Sequence, residues 1–127
     1  MTTFLGYRFV RHLEYFEGSL LAQVEDETGE VFVVKFCTRT WSVQEGHVYN
    51  TYLVTRATPE YIERYLGGKL SYLELLTIPN DNKGLLVTET EACGLTRKEV
   101  TVTEIDEKFL PKVGVFHDPD LRQVMHL

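Results

Sequence analysis

Four histidines are the side chains of this chain best suited to acid–base or metal chemistry. They are His12, His47, His117 and His126. No two of them share a helical face or alternate along one strand, so the spacing of a local metal site or acid–base pair is missing. Residues 12–14 superficially match a zinc deaminase, but the proline and cysteine pair of that motif does not follow. We therefore expect no metal ion and no cofactor.

Two weaker options for chemistry involve the same histidines. Residues 117–120, HDPD, could offer an imidazole and two carboxylates to a cation. Asp118 before Pro119 is at least as well explained as the cap of a C-terminal helical turn. An active site could also be assembled from residues far apart in the chain, because folding brings such groups together. Its members would be His12, Glu14, Glu17, His117 and Asp120. Without a local catalytic motif, we lean towards a protein that is not an enzyme.

Carboxylates are concentrated in residues 22–36, AQVEDETGEVFVVKF, where Glu25, Asp26, Glu27 and Glu30 surround one glycine. A calcium loop would need oxygen ligands at alternate positions over twelve residues, a central glycine and a closing glutamate. That spacing is absent. Asp26 can bond its own backbone and Gly29 accepts a positive φ, so residues 26–29 predict the turn of a hairpin. An acidic surface that faces a partner is the alternative.

Aromatic residues form the more distinctive group. Tyrosine and tryptophan are favoured at interfaces because they are large, stiff and amphipathic. Taken singly, each tyrosine is better explained as the rim of an ordinary core, with its hydroxyl in water. Taken together with two arginines, they are a candidate recognition surface on the third predicted strand and the first helix. Its members are Arg39, Trp41, Tyr49, Tyr52, Arg56, Tyr61 and Tyr65.

Strands predicted from apolar alternation would carry most of these residues. Residues 19–24 and 31–37 predict a hairpin whose second strand is apolar on both sides, which is typical of a central strand. Residues 49–56 predict a third strand, and residues 85–95 and 99–106 predict two more. Residues 109–119 are suited to an extended edge segment, and residues 118–127 could form a last helical turn.

Two helices are predicted between the third and fourth strands. Thr58 is a good N-cap, Pro59 suits the first helical position, and Gly67 ends the first helix. Ser71 and Glu74 then form a capping box that begins the second helix. We therefore predict an α+β fold, with a mostly antiparallel sheet of about five strands and two short consecutive helices packed on one side. Residues 1–127 are expected to form a single compact domain.

Composition restricts the partners and the compartment. The net charge is −6 and the pI is about 5.2, which disfavours nucleic acid because phosphate binding needs clustered lysine and arginine. No secretory signal and no apolar run long enough for a membrane span is evident. Cys37 and Cys93 match no paired-ligand spacing. We expect both to be reduced thiols, with a disulfide between them as the minor alternative, and we expect a cytoplasmic protein.

Three stretches together resemble a family of small bacterial domains of unknown function, found among uncharacterised and mobile-element proteins. They are LEYFEGSLLAQVEDETGEVFVV, YLVTRATPEYIERYLGGKLSYLELL and FLPKVGVF. The family pattern opens with Y-x-E-G-P-L-L before a hairpin and a strand, and continues with a helix that ends in glycine and an L-x-E-L helix. Ser19 stands where the pattern has proline. The resemblance implies a bacterial, cytoplasmic setting and assigns no catalytic residue.

The sequence thus favours a non-enzymatic protein–protein interaction or regulatory module. It could be an accessory, inhibitor or immunity-type protein of a bacterial or mobile-element system, with an acidic surface that suits a basic partner. The alternative is a protein that binds a small anionic, nucleotide-like ligand in a pocket lined by tyrosine and arginine between sheet and helices. A homodimer formed through strand edges or through Leu121, Val124 and Met125 is also open.

Overall fold

The computed structural model describes residues 3–15, 19–44, 46–90 and 94–117. Within these residues the chain forms one seven-stranded antiparallel sheet in which every strand pairs with its neighbours in sequence. The strands are β1 (Thr3–Phe4), β2 (Tyr7–Tyr15), β3 (Ser19–Glu25), β4 (Val31–Ser42), β5 (His47–Arg56), β6 (Lys83–Thr90) and β7 (Gly94–Thr101). Helices α1 (Pro59–Leu66) and α2 (Tyr72–Thr77) lie between β5 and β6.

The predicted α+β class is confirmed, but the predicted number of strands was wrong. The sheet has seven strands because β1 and β2 precede the predicted hairpin. The register of β2 against β3 shifts between Phe9 and Arg11 and again between His12 and Glu14. Such bulges break the two-residue alternation by which a strand is recognised in sequence. The last two predicted strands exist with other bounds, and Val102–Glu104 is a 3-10 turn rather than part of β7.

Both helices begin where their capping residues predicted. The Tyr61 amide donates to Thr58 Oγ1 at 3.4 Å, and Pro59 is the first residue of α1. At α2 the Glu74 amide donates to Ser71 Oγ at 3.2 Å and the Ser71 amide donates to Glu74 Oε1 at 2.9 Å. The capping box is therefore confirmed. No described helix is both long enough and apolar enough to cross a membrane.

Apolar side chains pack on both faces of the sheet. On one face, Leu13, Leu21 and Leu53 form a core with Ile62 and Tyr65 of α1 and with α2. The other face carries a second core, built from Ala22, Val24, Val34, Val54 and Val87 with flanking aromatic rings. The Arg97 guanidinium on β7 donates to the Leu5 carbonyl beside β1 at 3.4 Å, so the two ends of the curled sheet meet over this second core.

The acidic stretch between β3 and β4 is a turn, as predicted. Asp26 Oδ1 accepts hydrogen bonds from the amides of Thr28 and Glu30, at 2.9 and 3.0 Å. Gly29 has a φ of +87°, which a residue with a side chain rarely adopts. These bonds hold the pKa of the exposed Asp26 carboxyl below its usual value, with the Thr28 hydroxyl as the largest cause. The carboxylate thus fixes the hairpin.

The C-terminal stretch differs from its prediction. Residues 110–117 are not a strand but run without regular structure across the helical side of the sheet. The Tyr72 amide donates to the Val115 carbonyl at 2.8 Å. The predicted helical turn at residues 118–127 lies outside the described residues, as does Cys93.

Candidate functional site

The hairpin of β4 and β5 extends beyond its neighbours in the sheet. Among the residues that the structure describes, β3 pairs with β4 only as far as Lys35, and β6 pairs with β5 only from Asn50 to Val54. Further out, residues 39–42 pair with residues 47–50, and in the described part of the chain residues 39–41 and 47–49 pair with no third strand. We call residues 39–50 the β4–β5 arm.

Two large apolar side chains project from the arm into solvent. Trp41 is 60% exposed and Val43, at the tip, is 84% exposed. Neither belongs to the two apolar cores. Exposed aromatic and apolar anchors on a narrow support are typical of residues that a partner desolvates on binding.

The arm also brings together part of the predicted recognition surface. Arg39 Nε donates to Asn50 Oδ1 across the two strands at 3.1 Å. Because successive strand residues face opposite ways, Arg39 and Trp41 share the face of Tyr52, whereas Tyr49 projects from the other face. A register shift between Phe36 and Thr38 sets this arrangement. The structure thus groups Arg39, Trp41 and Tyr52 and separates Tyr49 from them.

Tyr52 connects the base of the arm to the second core. Phe4 and Phe36 pack edge-on against its ring, with centroids 5.4 and 5.7 Å away. Burial raises the pKa of the Tyr52 hydroxyl, and the nearby Glu89 carboxylate raises it further. The face that carries Arg39 and Trp41 therefore rests on a packed aromatic base, and only its outer part is exposed.

The other three predicted residues lie away from the arm. Tyr61 is half-buried on α1 beneath the guanidinium of Arg64, at 5.5 Å. Arg56, at the end of β5, forms an ion pair with Glu30 at 2.5 Å. Tyr65 is 1% exposed and belongs to the core beneath the helices. The seven residues therefore do not form one continuous surface in this structure.

An interior polar cluster joins two residues of the dispersed catalytic set. Tyr65 Oη donates to Glu14 Oε1 at 2.6 Å, and His117 Nδ1 lies 2.5 Å from the same oxygen. Burial, followed by the bond to Glu14, raises the pKa of the Tyr65 hydroxyl far above its usual range. Burial likewise raises the pKa of Tyr72, whose ring centroid lies 5.6 Å from that of Tyr65. Sequence reasoning named Glu14 and His117 but missed the tyrosines as their partners.

The rest of the dispersed set does not join this cluster. His12 instead packs at an angle against the rings of Phe9 and Tyr15, with centroids 4.7 and 4.8 Å away. Glu17 and Asp120 lie outside the described residues. Among the residues that the structure describes, no three histidine, cysteine, aspartate or glutamate side chains are grouped so that they could hold a metal ion. What the cluster does is fasten residues 110–117 to β2 and α1.

A surface groove of about 1150 Å³ lies where β5 and β6 separate. Phe32, Leu85 and Leu86 contribute apolar surface, and charged side chains surround them. The charges are nearly balanced, with Arg56, Lys83 and Lys98 against Asp81, Glu99, Glu104 and Asp106. None of the predicted tyrosines lines the groove.

Comparisons of this chain with protein-family models, with curated proteins and with solved structures found no match.

Proposed function

We propose that this protein is a non-enzymatic protein-interaction module and that the β4–β5 arm is its contact surface. It would act as an accessory, inhibitor or immunity-type component of a bacterial or mobile-element system, in the cytoplasm. The observation that supports the proposal is the exposure of Trp41 and Val43 on a two-stranded projection. A two-stranded ribbon is marginal by itself in water, so apolar residues at its tip add little to the stability of the free protein. A function in binding accounts for them.

The charge of the chain supports a basic partner rather than a second copy. At a net charge of −6, two copies repel each other at long range, whereas a basic protein is attracted. Such attraction raises the association rate and is screened by salt within about 10 Å at 0.1 M ionic strength. The arm would then supply the apolar contact, while the remaining acidic surface would steer the approach.

Single substitutions in the arm, compared with a control substitution outside it, test this proposal. Wild-type protein, Trp41→Ala, Val43→Ser and the control Val113→Ser are each immobilised and exposed to a native lysate. Val113 is a matched control because it is as exposed as Val43, at 87%, but lies outside the arm. A protein that the wild type and the control retain is then purified. We expect Trp41→Ala to weaken its binding by about 30-fold, as for a central anchor of an interface.

Hydrogen exchange and salt dependence then locate the contact and identify the kind of partner. Binding should protect the amides of residues 39–42 and 47–49 from hydrogen exchange, and the association rate should fall as salt rises. Equal retention by both arm variants and the control would overturn the role of the arm. Concentration-dependent dimerisation that Trp41→Ala abolishes would instead make a second copy of the chain the partner.

The groove at the β5–β6 separation supports a second candidate, a small anionic ligand. Arg56 lines it beside Lys83 and Lys98, which are side chains suited to a phosphate. The four carboxylates around the groove oppose an anion, which is why this candidate ranks second. A thermal-shift titration with nucleoside phosphates is the test, since ligand at about 100 times its dissociation constant adds roughly 2.7 kcal/mol to stability. An Arg56→Met variant should lose any shift that arises in this groove.

A further inference from the structure

Residues 109–117 cross the helical side of the sheet and contact strands and helices along their length; we call this segment the strap. Cys37 Sγ lies 3.8 Å from the Phe109 carbonyl oxygen at one end. In the middle, the Val115 carbonyl accepts a hydrogen bond from the Tyr72 amide. At the other end His117 Nδ1 meets Glu14 Oε1. The strap thereby covers the interior cluster of Glu14, Tyr65 and Tyr72.

Apolar burial does little to hold the second half of the strap in place. Val113 is almost fully exposed, and Phe116 is 50% exposed. The Val115 side chain also reaches solvent. His117 is the exception, because only 6% of its side-chain surface is accessible. Among the described residues, attachment of this half therefore depends on one backbone hydrogen bond and on the imidazole.

The surroundings of that imidazole have the chemistry of a cation site. Glu14 supplies a carboxylate oxygen, and the Tyr65 hydroxyl fixes this oxygen by donating a hydrogen bond to it. The Tyr65 ring also flanks the imidazole, with centroids 5.5 Å apart. A carboxylate beside an aromatic ring is the combination that cationic nitrogen groups prefer, since charge-assisted hydrogen bonding adds to attraction by the ring.

We propose that Glu14 and Tyr65 form a binding site for a nitrogen-containing side chain, which His117 fills from within the same chain. The chemical class of ligand is an imidazole or a primary amine. Occupation by His117 closes the strap, and removal of His117 frees both the strap and the site for a group from outside. The site is distinct from the β4–β5 arm, so its test does not depend on the proposed function.

Hydrogen exchange at one amide reports closure directly. Tyr72 is the first residue of α2, and an amide at this position has no acceptor within its own helix. Its hydrogen bond goes instead to the Val115 carbonyl on the strap, so its exchange rate reports whether the strap is in place. The Leu75 amide bonds within the helix to the Ser71 carbonyl at 3.0 Å and reports whether α2 stays intact. His117→Ala should accelerate exchange at Tyr72 about tenfold or more and leave Leu75 unchanged. The control Lys112→Ala, an exposed change on the same strap, should alter neither.

Chemical rescue identifies the site itself. Imidazole added to His117→Ala should restore protection at Tyr72, whereas sodium chloride at matched ionic strength should not. The double variant Glu14→Gln, His117→Ala should show no rescue, because the carboxylate is gone. If His117→Ala does not fold, the single variant Glu14→Gln replaces it as the test. Glu14→Gln removes the negative charge but leaves an oxygen that can accept from Tyr65, and it should accelerate exchange at Tyr72. Unchanged exchange in a folded His117→Ala, or acceleration that imidazole cannot reverse, would overturn the proposal.

Discussion

At the scale of single residues, two buried hydroxyl groups on the helical side of the sheet have opposite surroundings. Tyr65 Oη donates to Glu14 at 2.6 Å. Thr55 Oγ1 is fully buried and has no hydrogen-bond partner among the described residues. A buried polar group without a partner costs free energy, whereas removing one member of a bonded pair leaves the other unsatisfied. Deleting the Tyr65 hydroxyl should therefore lower the free energy of unfolding, whereas deleting the Thr55 hydroxyl should not.

Replacing each hydroxyl-bearing residue by its closest apolar analogue tests this contrast. Tyr65→Phe should lower the free energy of unfolding by about 1 to 3 kcal/mol, because Glu14 loses a donor in a mostly buried position. Thr55→Val should leave the free energy of unfolding unchanged or raise it by up to about 1 kcal/mol, since it removes only an unpaired group. Urea denaturation measures both. A Thr55→Val variant as destabilised as Tyr65→Phe would contradict the assignment.

At the scale of elements, α2 depends on its capping box because it is only six residues long. So short a helix cannot persist on intrinsic propensity, and packing of Leu75 and Leu76 must combine with satisfied end groups. Ser71 is itself buried, so its amide and hydroxyl have no ready access to water. Helix α1 is longer, and its cap residue Thr58 is exposed.

Cap substitutions should accordingly differ between the two helices. Ser71→Ala should lower the free energy of unfolding by about 1 to 2 kcal/mol, near the upper end for an N-cap. Thr58→Ala should cost less, about 0.5 to 1 kcal/mol, because its bond to the Tyr61 amide is longer and solvent can replace it. Thermal or urea unfolding of both variants makes the comparison. Equal losses would show that burial of the cap does not matter here.

At the scale of the whole molecule, phenol groups built into both faces of the sheet link stability to alkaline pH. Burial is the largest cause that raises the pKa of four tyrosines, Tyr7, Tyr52, Tyr65 and Tyr72. In the unfolded chain these groups lose their protons near pH 10, while the folded protein keeps them. Above that pH the folded state binds more protons, so the free energy of unfolding falls as pH rises.

We therefore expect the free energy of unfolding to be nearly constant from about pH 8 to about pH 9 and to decline steeply above about pH 10. Tyr65→Phe should be less stable than wild type at pH 8 but should lose stability less steeply in alkali. Urea denaturation across this range measures the slope. Phenolate absorbance supplies the control, because all seven tyrosines should titrate near pH 10 in urea and fewer should do so in the native protein. Identical titration curves would contradict the argument.

Features with a local physical cause were predictable from the sequence. The capping box of α2, the Thr58 and Pro59 start of α1 and the turn at residues 26–29 each depend on contacts within four residues, so residue type and spacing specify them. β1 and β2 were not predictable in this way, because bulges in β2 disturb the alternation of apolar and polar residues. The register shift near Cys37 similarly changes which face the arm residues occupy.

By itself, the sequence determined the α+β class, both helix starts and the acidic hairpin turn, since local hydrogen bonds and short-range periodicity decide them. Only the tertiary structure decided that Glu14 and His117, 103 residues apart, share one oxygen with Tyr65. It alone separated Tyr65 from the predicted recognition surface and left Trp41 exposed on an arm. The reason is that strand register and the packing of distant segments are set by the whole sheet, which no local pattern contains.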